Sequence, residues 1–346
     1  MNRKNLKKLI GAVLVCALSF SMVACSNNSN TATKPEEKPL TKVRLNEVVR
    51  SVFYAPMYVA INNGYFKEEG IDIDLATGQG ADKTMQQLLS NNADIGFSGP
   101  EQIIYIYNQG REDLPVVFAQ LTQKDGSFLV AKEKPTNFKW EDVTGKSIIG
   151  ARPGGVPEMS LEQALKNHGI EKGKNVEIVT NISFTATSGA FKSGAQDYVA
   201  LFEPTASMLE KDNGGYIAAS IGKEVGNLPY TCFYSTKSYM EKNPEIIQGF
   251  TNAIYKGQQW VKEHSDEEVA KAIESFFPGT DHDIIVRVMK NYRDIEAIAT
   301  SPVVKEEDMN RLMKLIEGYD AKLIAKKPAF KDIVTNDFAE KAVSGK

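Results

Sequence analysis

The chain has 346 residues, 42% of them hydrophobic, 25% charged and 9% aromatic, with a formal charge of −3. That length carries two ordinary domains with a core each, and the composition excludes a collagen-like or wholly disordered chain. The near-neutral balance, without a long basic block, argues against a nucleic-acid partner, and three cysteines cannot make a disulfide scaffold.

Residues 1–24 read as a signal peptide. Arg3, Lys4, Lys7 and Lys8 precede an apolar run from Leu9 to Val23, which is shorter than the roughly 20 residues a membrane span needs. The run ends at Met22-Val23-Ala24-Cys25, followed by the polar Ser26-Asn27-Asn28. This resembles a bacterial lipoprotein signal, which implies lipidation of Cys25 and an extracytoplasmic protein anchored to the cell membrane. Loss of the four cations takes the formal charge from −3 to −7. It also leaves Cys232 as the only free thiol. Residues 25–41, rich in Ser, Asn, Thr, Pro and Glu, read as a flexible tether.

From there strands and helices alternate. Strand patterns at Val43–Val49, Ile71–Leu75, Ala93–Phe97 and Val116–Leu121 enclose helical ones at Ala55–Asn63, Lys83–Ser90 and Pro100–Asn108. A second series follows: strands at Ser147–Ala151, Val176–Thr180 and Tyr198–Phe202, helices at Met159–His168, Ser188–Ser193 and Ala206–Asp212. Four amphipathic helices end the chain, at Pro244–Glu263, Glu267–Phe276, His282–Tyr292 and Glu306–Leu323. The alternation predicts an α/β protein with parallel sheets covered by helices. The strand-like stretches Val116–Ala131 and Leu228–Ser235 are expected to carry the chain between two lobes. The first lobe is then discontinuous, at 42–122 and 232–346, and the second is 123–231. A cleft between lobes is a favoured ligand site.

The order of several short blocks is specific. Ala55-Pro56-Met57-Tyr58-Val59-Ala60 leads into Asn63-Gly64-Tyr65-Phe66-Lys67-Glu68-Glu69-Gly70-Ile71-Asp72-Ile73. Then follow Asn92-Ala93-Asp94-Ile95-Gly96-Phe97, Asp142-Val143-Thr144-Gly145-Lys146, Ala200-Leu201-Phe202-Glu203-Pro204-Thr205 and Lys242-Asn243-Pro244-Glu245. Over residues 43–325 the chain resembles extracytoplasmic substrate-binding proteins of the nitrate/sulfonate/taurine and thiamine-pyrimidine class. Within that class it is similar to a clostridial lipoprotein taking an aromatic amino acid such as tyrosine. The resemblance implies two Rossmann-like lobes of the type II periplasmic-binding fold with two hinge crossings. It also implies a partnership with a cognate ABC permease.

In open α/β sheets a ligand lies at the carboxyl ends of strands, beside helix N-termini with free N–H groups. In the first lobe that rule selects Phe53, Tyr54, Gly80, Phe97, Ser98 and Gly99. In the second it selects Arg152, Gly154, Gly155, Phe184, Thr187 and Glu203, and Tyr230 lies on a crossing. The aromatic residues suit stacking on a planar solute, although most aromatics are core. Ser98-Gly99 and Gly154-Gly155 fit either an anion site or ordinary helix caps. The Arg152 guanidinium fits a carboxylate grip or a surface ion pair. Glu203 fits a ligand ammonium or a structural cap, and Glu101 has the same two readings. A flat solute with both a carboxylate and an amine matches this set better than nitrate does.

No H-E-x-x-H, C-x-x-C or G-x-S-x-G occurs, and His168, His264 and His282 are scattered. The reading is a monomeric capture protein with no cofactor, metal or turnover. An aliphatic sulfonate, taurine or a thiamine-precursor pyrimidine is the alternative solute, and surface adhesion is the alternative of another class.

Overall fold

The computed structural model describes residues 39–345; the expected signal peptide, Cys25 and most of the expected tether lie outside them. Ten strands form two five-stranded sheets. The first holds β1 (Thr41–Glu47), β2 (Ile71–Thr77), β3 (Ile95–Ser98), β4 (Pro115–Thr122) and β10 (Thr231–Thr236). The second holds β5 (Ser127–Ala131), β6 (Ser147–Ile149), β7 (Glu177–Val179), β8 (Tyr198–Phe202) and β9 (Tyr216–Ser220).

The orders β2-β1-β3-β10-β4 and β7-β6-β8-β5-β9 are one topology used twice. β1 pairs in parallel with β2 and β3, and β6 does so with β7 and β8. The fourth strand of each sheet departs from the expected all-parallel arrangement: β10 is antiparallel to β3 and β4, and β5 to β8 and β9. These are the two strands that the chain forms on entering a sheet from the other one. It leaves the first sheet across residues 123–126 and returns after β9 through the short helix Ile221–Val225. Strand direction follows from that connectivity, which hydrophobic periodicity does not encode.

Both β4 and β10 are buried along their whole length, because helices cover both faces of the sheet. Phe97, Phe118 and Phe233 form the aromatic centre of the first core, with Phe233 stacked on Phe97 at 4.2 Å and on Phe118 at 6.5 Å. The long helix Pro244–Glu263 presents Phe250 edge-on to Phe233 at 5.0 Å. The helical tail thereby folds back on the first sheet. In the second sheet alternation separates two cores: Leu129 and Ile148 face one, Val130 and Ile149 the other. Gly126, in the first crossing, carries the ring of Phe53 against its backbone. A Cβ there would lie 2.4 Å from that ring, so no larger residue fits.

Truncating Phe233 to Ala is expected to destabilise the chain by about 3–5 kcal/mol. The check is urea unfolding at equilibrium, where the midpoint falls and the slope stays unchanged.

Candidate functional site

The carboxyl ends of both sheets face one another, and the candidate site is built from the loops that leave them. β1 ends on Glu47, a fully buried carboxylate. It accepts hydrogen bonds from Tyr58 Oη at 2.6 Å, Arg50 Nε at 2.7 Å and Thr77 Oγ1 at 2.9 Å. Burial pushes this carboxyl up, while the Tyr58 hydroxyl and the Arg50 charge oppose the shift. One side chain thus ties the loop after β1, the helix Ala55–Asn62 and the end of β2 into a floor.

From that floor Ser51 accepts from Phe53 N–H at 3.2 Å and donates to the Glu203 carbonyl at 3.3 Å, reaching the second lobe. Phe53 stacks on Tyr292 at 4.3 Å, and its ring lies 5.8 Å from Tyr54 and 6.0 Å from Tyr230. Tyr54 meets Phe97 edge-on at 4.6 Å, and Tyr230 lies 6.4 Å from Phe202. Phe53, Tyr54, Phe97 and Tyr230 are therefore brought together as one buried aromatic row running between the lobes. The side chain of Phe184 lies outside those described.

At the end of β3, Ser98 Oγ and Tyr234 Oη share a hydrogen bond of 2.6 Å. Gly99 follows, with the Glu101 carboxylate folded directly over it. Burial pushes Glu101 up, and it pushes Asp125 up to about 6 against the hydrogen bonds from Ser127. Gly80 stands at the N-terminus of the helix Ala81–Leu89 and donates its N–H to Val48 O at 3.0 Å.

The second-lobe residues divide differently. Glu203 accepts from Ser207 N–H and Oγ, both at 2.8 Å, and from Asn291 Nδ2 at 2.7 Å. Those contacts cap the helix Thr205–Lys211 and tie it to the helix His282–Asp294, so the structural one of its two readings accounts for both oxygens. Thr187 is buried and donates to Ser183 O at 3.1 Å. Arg152 is half exposed, with its guanidinium 3.8 Å from Asp82 across the interface. Gly154 O accepts from Tyr105 Oη at 2.8 Å, and Gly154 N–H donates to Tyr319 Oη at 3.3 Å. Gly155 caps the helix Val156–Lys166 through its backbone. Arg152 and Glu203 lie against different neighbours.

The interface is closed along two rims. One holds the Gly154 and Arg152 contacts; the other holds Asn291, Tyr292 and the Arg287–Glu210 ion pair. Sequence reasoning passed over Tyr105, Asn291, Tyr292 and Tyr319. Tyr292 reads as one more core position of an amphipathic helix, and only tertiary packing reveals its partner. A cavity of about 300 Å³ lies on the flank of the second rim, between Phe128, Ile217, Arg287 and Asn291; the Phe128 ring lies 6.2 Å from Tyr292, which stacks on Phe53. Among the described residues no helix is long and apolar enough to cross a membrane.

The profile of the NMT1/THI5-like family matches residues 52–268. The chain belongs to that family. Over 329 residues, 95% of either chain, it is 41% identical to YtlA of Bacillus subtilis (strain 168), a protein named provisionally as a binding protein. Among solved structures it is similar to the alkanesulfonate-binding protein SsuA from Xanthomonas axonopodis pv. citri, bound to MOPS. That match has a TM-score of 0.69 and 14% identity, over 86% of this chain and 99% of that one. The desulfurization enzyme DszB has the same fold, at a TM-score of 0.65 and 13% identity, over 88% and 99%. For this NMT1/THI5-like chain the fold is therefore that of the periplasmic-binding proteins, and its close relative is a binding protein.

Two outcomes follow from the buried carboxylates. Glu203→Ala is expected to cost about 1–3 kcal/mol, since it strands the Ser207 and Asn291 donors; thermal unfolding checks it. Asp125 titrates at about 6 in the folded chain against 3.8 when exposed. Its contribution is whole below pH 4 and is lost as pH rises through 6, by roughly 3 kcal/mol at pH 7. Measured from pH 4 to 7, the stability of Asp125→Asn relative to the parent should rise by that order.

Proposed function

We propose that this chain is the solute-capturing lipoprotein of an ABC importer, held at the cell membrane through Cys25. It acts as a monomer and performs no covalent chemistry. The residue boundaries of its lobes are those set by the two crossings: 42–122 with 232–346, and 123–231. The lobes part and close about residues 123–126 and 226–230, and the solute is stabilising because only the closed form contacts it from both sides.

The observation that carries this reading is the buried aromatic row at the facing strand ends. A row of rings spanning two lobes suits a planar solute, and it would be superfluous for a small inorganic anion. We assign the solute as an aromatic amino acid such as tyrosine. Arg152 stands at the rim, half exposed and only loosely engaged with Asp82, where it can turn to a carboxylate. Entry past the Gly154 rim is favoured, because its contacts are single hydrogen bonds and an exposed ion pair of little worth. The opposite rim keeps buried Glu203 and Tyr292 in place.

Thermal unfolding with L-tyrosine, L-phenylalanine, ethanesulfonate and a hydroxymethyl aminopyrimidine tests the assignment. The aromatic amino acids should stabilise the chain by about 2.7 kcal/mol at a hundredfold excess over the dissociation constant. A shift with ethanesulfonate and none with tyrosine or phenylalanine would refute the assignment.

A further inference from the structure

We infer that Glu101 forms the end of the solute site that receives a positively charged nitrogen. The captured solute is then an amine-bearing cation or zwitterion and not a simple anion. The inference deepens the capture reading above and rests on it.

Six carboxylates are buried among the described residues: Glu47, Glu101, Asp125, Glu158, Glu203 and Asp308. Glu47 faces Arg50, Glu158 faces Lys172, Asp308 faces Arg311, and Glu203 has hydrogen bonds on both oxygens. Glu101 differs. Glu101 is 2% exposed and accepts from Gln102 Nε2 at 3.2 Å on one oxygen; its Oε2 has no partner. Asp125 is fully buried too, but it accepts from Ser127 N–H at 2.7 Å, and the hydroxyls of Ser127, Ser160 and Tyr230 are placed to donate to it.

Position matters as much as the missing partner. A Cβ on Gly99 would lie 2.0 Å from Glu101 Oε2, so the glycine is what admits the carboxylate to the carboxyl end of β3. Tyr230, a member of the aromatic row, hydrogen-bonds Asp125 and lies within electrostatic reach of Glu101. The one cation that acts appreciably on Glu101 is Arg152 from across the interface, itself half exposed and beside Asp82. An unpaired buried carboxylate is costly, and removing that cost takes a donor with positive charge. An ammonium reaching Oε2 supplies both in one charge-assisted hydrogen bond. A bare anion would meet a carboxylate and no buried cation.

The test uses the full chain and two matched pairs of probes: L-tyrosine against 3-(4-hydroxyphenyl)propionate, and taurine against isethionate. Calorimetric titration should show an amine-bearing probe binding at least tenfold more tightly than its partner, with Glu101→Gln abolishing the difference. Equal or tighter binding of the des-amino member, or an unchanged amine affinity in Glu101→Gln, would overturn the inference while leaving capture intact. Failure of all four probes would count against the capture reading instead. Thermal unfolding of the ligand-free chain then decides the carboxylate by itself. Glu101→Gln should raise the midpoint, as expected for a group kept for binding at the expense of stability; a lowered midpoint would show Glu101 to be held by the fold and overturn the inference.

Discussion

A strand exchanged between two sheets sets the geometry of everything at the interface. β5 and β10 each enter the sheet opposite to the one the chain has just left, and each lies at the fourth position between two ladder partners. The crossings that precede them are bound to one another: Leu228 N–H donates to Gln123 O at 3.0 Å, and Tyr230 N–H to Thr122 O at 3.1 Å. Backbone hydrogen bonds therefore place the strand ends of one lobe against those of the other, and side chains at those ends inherit their register. Gly126 sits in this double crossing, which is why Phe53 can lie against it and still reach Tyr230.

Electrostatics at the interface is uneven for the same reason. Groups near the helical tail find partners, since that tail brings Asn291, Tyr292 and Arg287 to the second lobe. Glu101, at the centre, is surrounded by rings and backbone, and among the described residues no lysine or arginine forms an ion pair with it. Burying a carboxylate in such a place costs several kcal/mol unless something compensates it. A fold with a choice would have placed an amide or an apolar side chain at 101, as hydrogen bonding there is already incomplete.

Much of this was readable in the sequence, and the gaps have physical causes. The alternation of strands and helices, the two crossings and the helical tail are written in periodicity, and most helix ends fall within a residue or two of their Gly, Asn or Pro signals. β9 escaped notice because Tyr216–Ser220 is half-buried at every position and so shows no alternation. The reversed direction of β5 and β10 has no counterpart in hydrophobic pattern. At the site, the strand-end loops picked out Phe53, Tyr54, Phe97 and Tyr230, whose rings lie near one another. They did not distinguish Glu203 from Glu101, because two acids beside a proline look alike until partners are known. Ser207, four residues on, and Asn291, 88 residues on, make the difference. Only the first of those two is a local signal.

Sharing a fold does not choose between capture and catalysis, so the choice falls to the site. Nucleophilic catalysis needs an activated nucleophile beside a base. Cys232 lies near the start of β10, fully buried, with its thiol pushed well up by burial and by the Glu101 charge. That is the opposite of activation, since the thiolate is the reactive form. Ser98 bonds to a tyrosine and not to a histidine, while His168 and His282 lie against surface glutamates and His264 stacks on Trp260. What the strand ends do assemble is rings, unpaired acceptors and a loosely held guanidinium. Such a set suits the capture reading proposed above better than it suits nucleophilic chemistry.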